Sequence, residues 1–184
     1  MNWYLVVIIP SREICDLVDR YRKKYAKYTG YVIPPHITIY PPFLITSSQK
    51  EVIDALKESF FKTPVVKVKC DSVDFFESKN NNVAYFKPDK DSADLMKKFL
   101  IKTIKALKGK IKDVFEGHKY TLSEYSPHMT IAEKIPKRAL SKVKKELSRF
   151  KGEIEFEVDS IYIYKQRSDS KIWEELTRIK FNQR

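Results

Sequence analysis

Short apolar runs alternate along the chain with stretches in which apolar residues recur every three or four positions. The run at 3–9 predicts a buried first strand, and the spacing of Ile14, Leu17, Val18 and Tyr21 predicts a helix from Ser11 to about residue 28. By the same criteria, further strands are expected at 36–40, 65–76, 83–87, 128–132, 153–164 and 172–181. Further helices are expected to begin at Ser47 or Ser48, at about Asp91 and at Pro136, the last ending near Phe150.

Written as elements, each half of the chain reads strand, helix, short strand after a proline, helix, strand. Short strands that can pair antiparallel, with helices between them, indicate an α+β fold. No linker rich in Gly, Ser or Pro separates the halves. We therefore expect residues 1–184 to form one domain of two interleaved, pseudo-symmetric lobes, each an antiparallel sheet with outer helices.

Composition excludes several classes of protein. The 184 residues are 42% hydrophobic and 13% aromatic, which is typical of a globular core and not of a disordered chain. Cys15 and Cys70 lie far from each other and from any histidine, which argues against a zinc finger or a disulfide framework and favours the cytoplasm. The run at 3–9 is far too short to span a bilayer, so no membrane association is expected.

The formal net charge is +12, from 36 Lys and Arg against 24 Asp and Glu. An excess of this size attracts polyanions, of which nucleic acid is the commonest in a cell. Two basic stretches, 97–119 and 134–151, carry much of the charge and are equally typical of solvated helix faces. Charge alone therefore favours an RNA partner only weakly.

Two of the three histidines lie in matching local sequences. Pro35-His36-Ile37-Thr38-Ile39 and Pro127-His128-Met129-Thr130-Ile131 both read Pro-His-apolar-Thr-apolar. In a strand, each histidine shares a face with its threonine while the apolar residues face the core. If the lobes are related by a pseudo-twofold axis, two imidazoles and two hydroxyls surround a single site.

Such a site suits chemistry at phosphorus. One imidazole can act as general base and the other as general acid, and the hydroxyls of Thr38 and Thr130 can donate hydrogen bonds to phosphate oxygens. Neither motif has the His-x-His or His-Glu-x-x-His spacing of a metal site, so we expect no metal and no cofactor.

With these two His-x-Thr-x motifs, 92 residues apart, the chain resembles the two-histidine (2H) phosphoesterase superfamily, in particular its LigT-like or 2′-5′ RNA ligase branch. Pro41-Pro42-Phe43 and the closing run from Phe156 through Trp173 also look like that branch. The resemblance implies a bilobal α+β fold with both motifs in a central groove. It also implies metal-independent activity on 2′,3′-cyclic phosphates and 2′-5′ linkages of RNA, with catalytic His36 and His128 and phosphate-binding Thr38 and Thr130.

Other candidates for substrate contact are less specific. Tyr40, Tyr125 and Trp173 are aromatic residues near the motifs or the closing strands that can stack on a base or belong to the core. Lys165 and Arg167 follow a predicted strand and are candidate phosphate contacts. Lys134 stands near the position where many LigT-like members have an arginine. His118 lies in a predicted loop, for which we expect a structural role.

The sequence thus predicts a monomeric RNA 2′,3′-cyclic phosphodiesterase that leaves a 2′-phosphate, with 2′-5′ ligation as a related activity. The resemblance favours His128 as base and His36 as acid, although the near-symmetry of the motifs leaves the opposite assignment open. Two alternatives remain: a non-catalytic RNA-binding module, and a phosphodiesterase for a small cyclic nucleotide or a 2′-5′ oligoadenylate.

Overall fold

The computed structural model describes residues 2–25, 27, 33–79, 81–114, 122–170 and 172–181. Within them, nine strands and four helices follow one another along the chain. They are β1 (Asn2–Ile8), α1 (Arg12–Lys24), β2 (Ile37–Ile45), α2 (Gln49–Phe60), β3 (Val66–Phe76), β4 (Asn82–Pro88), α3 (Lys90–Leu107), β5 (Ile111–Asp113), β6 (Met129–Ile135), α4 (Lys137–Leu147), β7 (Ile154–Val158), β8 (Ser160–Arg167) and β9 (Trp173–Lys180).

The strands form one continuous antiparallel sheet in the order β7-β3-β4-β6-β2-β1-β8-β9, with β5 added beside β2. The predicted repetition corresponds to β1-α1-β2-α2-β3 and β4-α3-β6-α4-β8. The last strand of each repeat pairs with the first strand of the other repeat, since β3 pairs with β4 and β8 pairs with β1. The motif strands β2 and β6 are neighbours at the centre of the sheet. The α+β class with antiparallel pairing is confirmed, and its two halves, β7-β3-β4-β6 and β2-β1-β8-β9, join into one sheet through the pair Ile37–Met129.

The sheet is curled, as its connections show. Strand β7 lies at one edge and β8 next to the other, yet only Asp159 separates them in the chain. Val158 pairs with Val66 on β3, and Ser160 pairs with Lys180 on β9. Because one residue spans only about 3.5 Å, the two ends of the sheet must approach each other.

All four helices contribute to the main hydrophobic core on one face of the sheet. Their apolar residues recur at helical spacing, as in α2, where Val52, Leu56 and Phe60 are buried against the strands. The opposite face, called the open face below, carries a second, smaller cluster. Its buried members are Leu5, Val7, Ile33 and Tyr164, with Ile9, Tyr162 and Trp173 packed against them. No helix among the described residues is long and apolar enough to cross a membrane.

Helix starts agree with the sequence prediction. The Ser11 hydroxyl caps α1 by accepting from the Ile14 backbone N–H, and Ser48, rather than Ser47, caps α2 through the N–H of Glu51. These local side-chain acceptors satisfy N–H groups that the helix itself leaves unpaired.

Two predicted strand boundaries were wrong. Pro41-Pro42 does not end β2, which continues to Ile45, because the prolines lie where the pairing register with β1 shifts between Tyr4 and Val6. Proline is tolerated at such β-bulges, where a ladder hydrogen bond is already missing. The single strand expected at 153–164 is two strands, which separate at Asp159 and pair at different ends of the sheet.

Candidate active site

Both motif histidines lie immediately before a central strand. His36 precedes β2 and His128 precedes β6, and the two strands pair through Ile37 and Met129. Both of those side chains are fully buried in the main core. Extending this antiparallel register by one residue in each direction sets His36 opposite Thr130 and Thr38 opposite His128.

Alternation along the strands places the four polar side chains on the open face. Thr38 pairs with Val7 of the open-face cluster, and Thr130 pairs with Tyr85 of β4. Both threonines and both histidines are partly exposed. The predicted juxtaposition of two imidazoles and two hydroxyls is therefore consistent with the observed register.

The two imidazoles are held in the same way. Nδ1 of His36 lies 2.8 Å from the carbonyl oxygen of Pro34, and Nδ1 of His128 lies 2.8 Å from that of Ser126. A carbonyl only accepts hydrogen bonds, so Nδ1 must carry the hydrogen in both rings. In the neutral form, Nε2 of each ring then holds the lone pair that can take up a proton.

Burial lowers the pKa of both rings. It is the largest cause of lowering the pKa of His36 from 6.5 to about 4, partly opposed by the hydrogen bond to Pro34, with Arg22 and His128 lowering it further. Burial also lowers the pKa of His128, and the hydrogen bond to Ser126 opposes that shift. Both imidazoles are consequently neutral at pH 7 in the ligand-free protein.

Aromatic rings surround His128. Its ring meets Phe76 edge-on with centroids 5.0 Å apart, and Tyr85 lies 5.4 Å away. Phe76 and Tyr85 in turn stack on each other at 4.3 Å. Burial and Asp74, to which its hydroxyl donates, raise the pKa of Tyr85 to about 12. This packing fixes the ring orientation of His128 from the β3–β4 side.

Helix α1 holds the segment that carries His36. The buried Arg22 guanidinium donates through Nη2 to the carbonyl of Ile33 at 3.0 Å and pairs through Nη1 with Asp19 at 3.1 Å. The Cys15 thiol makes weak contacts with the Pro10 and Pro35 carbonyls, at 3.6 and 3.9 Å. The loop before His36 is thus attached to α1, and a positive charge lies behind the imidazole.

Tyr40 and Tyr125 are core residues, contrary to the stacking role considered for them. Their side chains are only 6% and 4% exposed and belong to the main core. The register shift in β2 reverses the alternation beyond Thr38, which turns Tyr40 away from the open face, where its hydroxyl donates to Asp113 at 2.8 Å. The Tyr125 hydroxyl donates to the backbone carbonyl of Thr38 at 2.9 Å and so links the two motifs.

The basic residues suggested as phosphate contacts lie elsewhere. Lys165 pairs with Tyr4, whose ring is in the main core, so its side chain projects from the face opposite the histidines. Arg167 is exposed near the β8–β9 turn and binds Asp169 through Nε and Nη2 at 3.0 and 2.6 Å. Lys134 is exposed at the far end of β6, with a positive φ of 55° beside a register shift.

Trp173 does lie on the open face, packed against the cluster around Val7 and Tyr164. His118 falls outside the described residues. In the part of the chain that the structure describes, no three His, Cys, Asp or Glu side chains are grouped so as to hold a metal ion.

Sequence reasoning missed Arg22, Phe76 and Tyr85 around the imidazoles. The sequence did contain a sign that Arg22 is special. It follows Val18 by four residues and so lies on the inner face of α1, where a charged residue is unusual. For Phe76 and Tyr85 there was no such signal, since their contact with His128 depends on which strands pair and in what register.

Comparison with known proteins gives the family. The model of the 2′-5′ RNA ligase superfamily matches residues 10–170. A Bacillus pumilus protein named "Putative phosphoesterase" is 30% identical over 136 residues, 72% of this chain and 70% of that protein. A Geobacillus protein of the same description is 26% identical over 166 residues, 89% and 87% of the two chains.

Solved structures show the same fold. Escherichia coli LigT in its apo form matches with a TM-score of 0.60 and 12% identity over 99% of this chain and 98% of that one. Kluyveromyces marxianus Usb1 matches with a TM-score of 0.53 and 10% identity over 97% of both chains. One LigT structure, with a TM-score of 0.59, 11% identity and coverage of 99% and 98%, is a complex with 3′-AMP.

The two His-x-Thr-x motifs, the fold and the match of the family model to residues 10–170 all indicate the same family. The chain belongs to the 2′-5′ RNA ligase superfamily and is a phosphoesterase of the LigT-like 2H type.

Proposed function

We propose that the protein hydrolyses 2′,3′-cyclic phosphates at RNA ends by acid–base catalysis, with His36 and His128 as the catalytic pair and no metal ion. The observation that carries this proposal is that the same hydrogen bond holds both imidazole rings in the same tautomer. Each uses Nδ1 to donate to the carbonyl two residues earlier, which leaves both Nε2 atoms for proton transfer. A binding module has no use for two such imidazoles held in one tautomer at neighbouring strands.

The reaction needs one neutral imidazole and one imidazolium. The neutral Nε2 takes a proton from water as the water oxygen attacks phosphorus, and the bond from phosphorus to the 3′ oxygen breaks. The imidazolium on the other side gives its proton to the departing 3′ oxygen. The products are a 2′-phosphate and a free 3′ hydroxyl, and the two imidazoles have exchanged protonation states. Ligation to a 2′-5′ linkage is the same ring opening with the 5′ hydroxyl of a second ribose attacking phosphorus in place of water, while the bond to the 3′ oxygen breaks as before.

Thr38 and Thr130 supply the hydroxyl donors in this scheme. Across the paired strands, each lies opposite the histidine of the other motif, so one hydroxyl and one imidazole approach the phosphate from each side. Donors fixed before the reaction stabilise the charge that develops on the non-bridging oxygens. The negative phosphate also raises the pKa of both imidazoles, which allows one of them to be protonated near neutral pH.

The low pKa of both rings has a consequence for binding. With both imidazoles neutral in the free protein, protonation of one accompanies the binding of the anionic phosphate. We expect kcat/KM, which reports the free enzyme, to peak at a lower pH than kcat, which reports the complex.

The test is a panel of substrates assayed in excess chelator: 2′,3′-cyclic mononucleotides, RNA oligomers with cyclic ends, and 2′-5′-linked dinucleotides, with product ends identified by phosphorus NMR. We expect turnover of the cyclic-ended RNA to a 2′-phosphate with the chelator present. Loss of activity on chelation, with recovery on adding a divalent ion, would contradict the metal-free mechanism. Salt-sensitive RNA binding without any turnover would instead establish the binding module, and equal rates for mononucleotide and oligomer would establish a small-molecule enzyme.

A further inference from the structure

Three residues with large or polar side chains form a row across β1, β8 and β9. Trp3 pairs with Gln166, and Gln166 pairs with Trp173. Side chains of directly paired residues project from the same face of a sheet. The row therefore places two indole rings about 10 Å apart, two strand spacings, with a carboxamide between them.

The row belongs to the open face, the face that also carries the histidines. Trp3 alternates with Leu5 and Val7, both members of the open-face cluster, and Trp173 packs against that cluster. Val7 is the partner of Thr38. Trp3 lies four residues along β1 from Val7, and Val7 lies one strand spacing from Thr38. The row is therefore about 14 Å from Thr38.

The row exposes apolar surface that the fold does not cover in the described part of the chain. Trp3 is 37% exposed, and Trp173 is partly exposed. The cluster of Leu5, Val7 and Tyr164 joins this surface to the threonine-bearing strand β2 without a break. A ligand that starts at the histidines and reaches the row meets the aromatic and aliphatic side chains of this cluster on the way.

Charge favours one orientation of such a ligand. Glu175 pairs with Tyr164 and so projects from the same face, and its carboxylate repels a phosphate at that position. Arg178, which pairs with Tyr162 on this face, is held in an ion pair with Asp159 at 2.7 Å. Flat, uncharged bases fit the surface better than a phosphate backbone does, while the net charge of +12 attracts the polyanion as a whole. The carboxamide of Gln166 can both donate to and accept from a base edge.

We propose that Trp3, Gln166 and Trp173 form a distal base-binding platform for a single-stranded RNA segment that extends from the catalytic pair. The proposal rests on the function proposed above, since it takes the reacting phosphate to lie at His36 and His128. A distance of about 14 Å corresponds to about four stacked nucleotides, or fewer in an extended strand. The platform thus makes the protein bind oligomers more tightly than mononucleotides.

The two tryptophans of the platform are the only ones in the chain, so intrinsic tryptophan fluorescence reports on this site alone. Titration with product-like oligonucleotides that end in a 2′-phosphate, from one to six nucleotides long, avoids turnover during the measurement. We expect saturable quenching with the longer oligomers and an affinity that rises by about tenfold or more between one and six nucleotides. Equal affinity and equal quenching for the mononucleotide and the hexamer would overturn the platform.

Variants separate the platform from general folding. Trp3→Ala and Trp173→Ala should each weaken hexamer binding by about tenfold, because stacking on an aromatic face is lost. Trp3→Phe, which keeps an aromatic face, should retain most of the affinity. Phe61→Ala, at an exposed apolar residue at the end of α2, serves as the matched control and should leave hexamer affinity unchanged. An equal loss in Phe61→Ala, or none in the tryptophan variants, would contradict the proposal.

Two further readouts keep this proposal distinct from the proposed function. Hydrolysis of a 2′,3′-cyclic mononucleotide should be unchanged in Trp3→Ala, since that substrate does not reach the row. If no cyclic phosphate is hydrolysed while quenching still depends on oligomer length, the catalytic proposal fails and the platform stands. If sedimentation shows a dimer that Trp3→Ala dissociates, the row is a contact between copies of the chain and the platform fails.

Discussion

His36 and His128 share one backbone arrangement and differ in what surrounds their rings. The same hydrogen bond from Nδ1 to a carbonyl fixes the tautomer of both. A guanidinium lies near His36, whereas Phe76 and Tyr85 enclose His128. Matching sequences therefore give two imidazoles in the same tautomer but in different surroundings.

Arg22 is expected to contribute to the low pKa of His36. Replacing it in Arg22→Gln removes a positive charge that disfavours the imidazolium, so the pKa of His36 should rise above about 4. Burial remains the larger cause, so the pKa should stay below 6.5. Histidine NMR titration measures this directly, and the limb of the pH–rate profile that belongs to His36 should move to higher pH.

His128 is the internal control for this measurement, since Arg22 is not among the causes of its shift. Arg22→Lys, which keeps the charge, should leave the pKa of His36 close to its original value. An unchanged pKa of His36 in Arg22→Gln, or equal movement of both histidines, would show that Arg22 acts only as a structural residue.

At the level of strands, local alternation was predictable and the bulges were not. The faces of His36, Thr38, His128 and Thr130 followed from the period of two that any strand has. Beyond each threonine the register shifts, which is why Tyr40 is a core residue and why Lys134 lies beside a bulge at the far end of β6. A bulge depends on how two strands pair, and a single sequence does not specify that pairing.

The hydrogen bond from Tyr125 to the Thr38 carbonyl links the segment before β6 to β2. Tyr125→Phe keeps the ring in the core and leaves that carbonyl with one donor fewer. We expect the free energy of unfolding to fall by about 1–2 kcal/mol, measured by denaturant titration. Single turnover should slow as well, because the spacing between the two motifs is less tightly fixed.

Tyr40→Phe is the matched control for this prediction. It also removes a hydroxyl from a buried core tyrosine, whose partner is Asp113 in β5 rather than a motif residue. Stability should fall by a similar amount, whereas turnover should stay unchanged. Equal effects of the two variants on turnover would contradict the linking role of Tyr125.

For the whole molecule, the repeated order of elements predicted the α+β class and the pseudo-symmetric arrangement. It did not predict that the last strand of each half joins the other half, or that the sheet ends approach at Asp159. Those features depend on contacts between residues far apart in sequence. The two Pro-His-apolar-Thr-apolar motifs were informative because their chemistry is local, whereas Arg22, Tyr85 and Trp3 required the assembled sheet.

The central claim is that His36 and His128 act together on one phosphate. Single-turnover kinetics on a cyclic-ended RNA should be measured for His36→Ala, His128→Ala and the double variant, with RNA binding at fixed salt in parallel. Each single change should lower the rate by roughly 10²–10⁴-fold, and the double variant should be little worse than the poorer single one. RNA affinity should change little. A near-normal rate in either single variant, with folding intact, would contradict the two-histidine mechanism.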